Sequence, residues 1–279
     1  MNLFKINSIL LIFNFLIIFV GCNSESGTKN VTVVSDTTKL ASQLNKSKKI
    51  IYSLPSPVEI STLLMDFPDQ KFYSEMLNPY QKATEYNSNK SMAINLGIYI
   101  ADLSYANLYE QSQITVNYVT VSKKIAEKLG ILSAFDEPTI KKLNENINNR
   151  EVIIKTITEA FMKSDAYLQE NGRQTVAVMI IAGGIMEGLY LASTLNTKNG
   201  QCSPEMIQYF VDQKYTIQMM LELLSENKTD TDVASLIEDF KQLDAVFNTV
   251  SLEKGKADSK DLKPVFDKII SIRNAWVKS

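Results

Sequence analysis

From about residue 50 onward, apolar residues recur at the three- and four-residue spacing of a helix with one buried face. The pattern predicts helices at about 90–110, 113–129, 137–148, 151–170, 174–195, 204–225, 231–250 and 260–277. The punctuation agrees. "SPVE" at 56–59 is a capping box with proline in the first turn. Ser203 opens a second Ser-Pro start, and Ser259 is placed to cap the last helix. Gly130 and Gly172 stand where a helix-ending glycine belongs. No run of alternating strands with hairpin turns is found. The expected fold is all-α, an antiparallel bundle of about eight helices joined by short loops.

Two of these helices are apolar nearly all round: "SMAINLGIYIADLSYANLY" at 91–109 and "TVAVMIIAGGIMEGLYLASTL" at 175–195. Such a helix is either central in a bundle or in a membrane. The second is long enough to span one. Each carries an acid near its middle, Asp102 or Glu187, and a charge there costs several kcal/mol in lipid. Both are therefore read as core helices. Ala93, Gly97, Ala101 and Ser104 line one face of the first, and Gly184 and Gly188 one face of the second. A glycine inside a helix costs up to about 1 kcal/mol relative to alanine. Close approach of two backbones offsets that, so the Asp102 and Glu187 helices are expected to be neighbours. Asp102 and Tyr105 are three residues apart, as are Glu187 and Tyr190. This spacing points to two related hairpins, 90–129 and 174–225, packed as a pseudo-symmetric pair.

The first residues follow a different pattern. "MNLFK" is a short basic head, "INSILLIFNFLIIF" an apolar run, and "FVGC" ends in Cys22. Head, core and small-residue cleavage site make a secretory signal over 1–21. The stretch resembles the lipobox of bacterial lipoproteins, with Phe19 where that pattern usually has leucine. The resemblance implies cleavage before Cys22, lipid on its thiol, and a membrane as partner. Several acyl chains on one residue anchor stably where one does not. Residues 22–49 are polar and read as a flexible tether, with a reach of roughly 25–30 Å. Residues 50–279 make the globular domain.

Without the signal, the chain has 28 basic and 31 acidic residues, a net charge of −3 and no basic stripe. Nucleic-acid binding is not expected. Cys202 then has no partner cysteine and is read as a buried structural thiol.

The chain has no histidine. That removes Ser-His-Asp and Cys-His sites, HExxH zinc sites and the Glu-x-x-His motif of di-iron bundles. No phosphate loop, GxGxxG, CxxC or EF-hand loop is present. No cofactor and no metal ligand set is assigned. The candidate residues are Asp102 and Glu187, with Tyr99, Tyr105, Tyr190 and Asn95 around them. A carboxylate pair is the apparatus of acid–base chemistry on a glycoside, or of an oxygen site for Ca²⁺ or Mg²⁺. The plainer reading has each acid bonded to a Tyr or Asn, or paired with a Lys or one of three arginines. Arg173, heading the second apolar helix, is one such arginine. The two readings differ in geometry. An enzyme places both acids on the wall of a solvent-reaching pocket, roughly 5–10 Å apart. A scaffold buries them against partners and exposes an apolar patch instead.

"NLGIYIADLSYANLYEQ", "DAYLQENGR" and "AGGIMEGLYLAS" resemble the core motifs of a family of uncharacterised helical lipoproteins from Bacteroidetes-type bacteria. The resemblance covers about 53–195 and implies an envelope location and a helical fold, with no activity attached. The expectation is a lipid-anchored cell-envelope protein, a non-catalytic binding or scaffolding module for an envelope partner or small ligand. The alternative is a histidine-free glycoside hydrolase using Asp102 and Glu187. The outer membrane is the expected home. Only Glu25 follows Cys22 as an acidic export cue, so the leaflet is left open.

Overall fold

The computed structural model describes residues 71–132, 136–199, 204–250 and 259–278. All fall within the compact unit Ala41–Ser279; a second unit, Met1–Leu40, lies outside the described residues. So do the signal, Cys22, the tether, the 56–59 capping box, Cys202 and Ser203.

The described residues form eight α-helices and no strand. They are α1 Asn89–Leu108, α2 Ser112–Lys128, α3 Glu137–Glu145, α4 Arg150–Glu170, α5 Gln174–Asn199, α6 Pro204–Ser225, α7 Thr231–Phe247 and α8 Ser259–Trp276. Two short 3₁₀ turns, Ser74–Met76 and Tyr80–Thr84, precede them. Local chemistry sets the boundaries. Ser88 caps α1 in a reciprocal pair with Ser91, and Asp136, Asn149 and Asp230 cap α3, α4 and α7. Gly130 and Gly172 take positive φ, 69° and 67°, after α2 and α4. The next amides close six-residue loops back to Ala126 and Leu168, as a glycine-ended helix requires.

α1 and α5 pack on each other more extensively than any other pair and form the centre. α2 lies along α1, α6 along α7, and α8 along α5 and α7, while α4 touches both central helices. From Ser91 to Leu108 every residue of α1 is buried. α5 is the one described helix long and apolar enough to cross a membrane, and 89% of its apolar window is buried inside the protein. Its hydrophobicity is thus spent on the bundle core.

The crossing is made by glycines. A Cβ on Gly97 would run into the backbone carbonyl of Ile180, and one on Gly183 into that of Ile94. On α5 the close approach is made at Gly183, and the Gly184 amide lies beside Gly97. The two hairpins are not equivalent. α2 leans fully on α1, whereas α6 touches α5 sparsely and rests on α7. The matching acid–tyrosine spacings therefore do not carry over into matching packing.

Because the obstacles are backbone atoms, Gly97→Ala and Gly183→Ala should each destabilise the fold by about 3 kcal/mol, the upper range for overpacking. Urea unfolding of the two variants measures this. A loss below about 1 kcal/mol in both would mean that the crossing is looser than described.

Candidate functional site

Asp102 projects from the middle of α1 and Glu187 from the middle of α5, and both are fully buried. The close crossing brings them together. Glu187 is held by Arg273 of α8 in a two-pronged pair: Nε donates to Oε2 and Nη2 to Oε1, each at 2.7 Å. Nη2 also donates to the Met76 carbonyl at 3.3 Å. The guanidinium carbon lies 4.1 Å from the centroid of the Tyr190 ring, a cation–π contact. This is the forked geometry in which Arg–carboxylate pairs are strongest.

Asp102 has no such partner. Its Oδ2 accepts the Asn78 backbone N–H at 3.0 Å. As a carboxylate, its Oδ1 would have nothing to bond. Burial, then the charge on Glu187, push the Asp102 carboxyl well above the usual carboxylate range, against the pull of Arg273. The orphaned oxygen and the raised affinity for a proton have one resolution. A protonated Asp102 carboxyl beside Glu187 satisfies both. One guanidinium then balances one carboxylate.

Asn78 is the hub of the surrounding bonds. Its side-chain amide donates to the Tyr86 hydroxyl and to Asn95 Oδ1, each at 3.1 Å. Its carbonyl accepts from the Tyr118 hydroxyl of α2 at 2.8 Å. Asn95 in turn donates to the Ser91 and Trp276 carbonyls, at 2.9 and 3.3 Å. Tyr86 reaches the Val277 carbonyl at 3.2 Å. Tyr99 donates to the Pro79 carbonyl at 3.0 Å. Desolvation pushes the Tyr99 and Tyr118 hydroxyls upward, so both stay protonated as donors.

The sequence candidates divide accordingly. Asp102, Glu187, Asn95 and Tyr99 meet in one network, and Tyr190 joins through Arg273. Tyr105 stands apart. It stacks on Phe72 at 5.4 Å, accepts the Tyr73 amide and donates to the Lys71 carbonyl. The tyrosines of α1 and α2 pack on one another and on Phe72, Tyr80 and Tyr86, which occupies the faces a sugar would need. Arg273 and Asn78 were not foreseen. The arginine facing Glu187 is Arg273; Arg173 lies beside Gly130. Arg273 does leave a trace in the sequence. It falls on the apolar stripe of α8 formed by Leu262, Phe266, Ile269 and Trp276, all buried. A charge on such a stripe signals an interior partner. Asn78 sits in an irregular stretch and leaves none.

Among the described residues no group of three acids, cysteines or histidines is placed to hold a metal ion. Neither family models, curated proteins nor solved structures provide a match to this chain.

Removing one partner of a buried pair strands the other. Glu187→Gln and Arg273→Met should each cost about 3–5 kcal/mol. Asp102→Asn keeps shape, neutrality and a donor toward Glu187, and should change stability by less than about 1 kcal/mol. Chemical denaturation of the three variants separates these cases. An Asp102→Asn loss as large as that of Glu187→Gln would mean that Asp102 is ionised in the folded protein.

Proposed function

We propose that this protein is a lipid-anchored component of a bacterial cell envelope, whose helical bundle is a non-catalytic binding or scaffolding module. The observation that carries the non-catalytic part is the enclosure of the carboxyl pair. Both acids are wholly buried; Arg273 holds both oxygens of Glu187, and the Asn78 amide holds one of Asp102. A glycosidase pair needs separated carboxyls, roughly 5–10 Å apart, with room between them for sugar or water. Two carboxyls enclosed in the core in this way leave none.

The location rests on the lipobox-like "FVGC" and on the polar stretch after it. The binding surface is less marked. Among the described residues the large hydrophobic side chains that stand exposed are Met162 on α4 and Tyr215 on α6. Single exposed apolar residues are ordinary. The partner of such a module would therefore be met by polar helix faces or by the preceding segment, not by a broad apolar patch.

Expression of the full chain in a lipoprotein-exporting bacterium tests the anchor. Wild type should incorporate labelled fatty acid and fractionate with membranes, and Cys22→Ser should do neither. An unlabelled wild type would remove the anchor. On a glycan panel, neither wild type nor Glu187→Gln should release sugar. Turnover by wild type that Glu187→Gln abolishes would instead establish the hydrolase.

A further inference from the structure

Residues 71–88 contain only the two 3₁₀ turns and a capping residue, so no packed α-helix holds them in place. Their bonds to the bundle run into the buried network. The Lys71 carbonyl and Tyr73 amide meet Tyr105, and the Met76 carbonyl meets Arg273. Asn78 binds Asp102, Asn95 and Tyr118, the Pro79 carbonyl meets Tyr99, and Tyr86 meets the Val277 carbonyl. This segment is thus one wall of the chamber that holds the two acids. The other walls are α1, α2, α5 and α8.

We propose that the buried carboxyl pair is a proton-operated latch: the proton on Asp102 keeps residues 71–88 docked, and its loss frees them. The groups facing Asp102 are Glu187 and Tyr190 from α5, Arg273 from α8, Tyr118 from α2, Tyr99 from its own helix, and Asn78 from the segment. Only one of them is cationic, and Glu187 already takes both of its inward prongs. A second carboxylate in the chamber has to draw in water. α1 and α5 cannot part without undoing the glycine crossing. α8 is drawn inward, because Arg273 would face two negative charges instead of one. The segment is the wall left to open.

The sign follows from proton binding. Folded Asp102 keeps its proton to higher pH than the unfolded chain, where an aspartate titrates near 3.9. Between those two values the docked state binds more protons, so docking weakens as pH rises and is fully present below the lower one. Under the lipid-anchor reading, eighteen released residues would add up to about 60 Å of extended chain ahead of α1. That consequence rests on the reading; the latch does not.

Hydrogen exchange of the full-length chain in detergent, followed from pH 6 to 9 and corrected for the intrinsic rate, tests the latch. In wild type, protection of the Tyr73 to Asn78 amides should fall by up to about tenfold per pH unit, tenfold being the limit for one proton. α1, α5 and α8 should keep theirs, and emission from Trp276, the sole tryptophan, should not move. In Asp102→Asn the segment should stay protected throughout. Constant protection in wild type overturns the latch. So does an equal fall in Asp102→Asn, and so does opening at α8 with a shift in the Trp276 emission.

Discussion

A single guanidinium serves a chamber that holds two carboxyl groups, and the centre of this protein is arranged around that shortage. Burying one ion pair is expensive, and the cost is offset only when geometry and side bonds are complete. Arg273 meets the condition for Glu187 with two short bonds, a carbonyl and an aromatic face. No charge remains for Asp102, and burial pushes its carboxyl upward, toward the neutral form. Interior ionic groups of this kind are poor sources of stability. What they supply is register. α1, α5, α8 and the segment before α1 all contribute polar groups, and these meet in only one relative placement.

The glycine crossing and the polar network depend on each other. Without Gly97 and Gly183 the two backbones would stand further apart, and the carboxyls with them. Without the network, two long apolar helices in contact could slide by a turn and bury nearly as much surface. Small residues set the distance between the helices, and charged ones fix their position along it.

Much of this was legible in the chain. Helix boundaries follow from caps and glycines that act within four or five residues, and all eight predicted helices are found with ends shifted by a few residues. All-round apolarity identified α1 and α5 as central, and their glycines made them neighbours. Asp102 and Glu187 stood out because a charge in such a helix demands an explanation. The explanation itself was hidden, since it lies far away in sequence: Arg273 is 86 residues from Glu187, and Asn78 is 24 from Asp102. Neither distance has a period to reveal it. The repeat expectation failed for a related reason. Two acid–tyrosine spacings look alike in one dimension, but α2 and α6 chose different neighbours.

The order in which the chain is made gives the Arg273–Glu187 pair a further meaning. α5 leaves the ribosome long before α8, and for that interval its central carboxylate has no counter-charge. A compact bundle of α1 to α5 would enclose an uncompensated ion. Early collapse onto a native-like core is therefore disfavoured until Arg273 has been synthesised. Contacts this distant slow folding, and partly collapsed chains with exposed apolar helices are prone to aggregate. The same residue that completes the core thus also sets when the nascent chain can close around its central carboxylate.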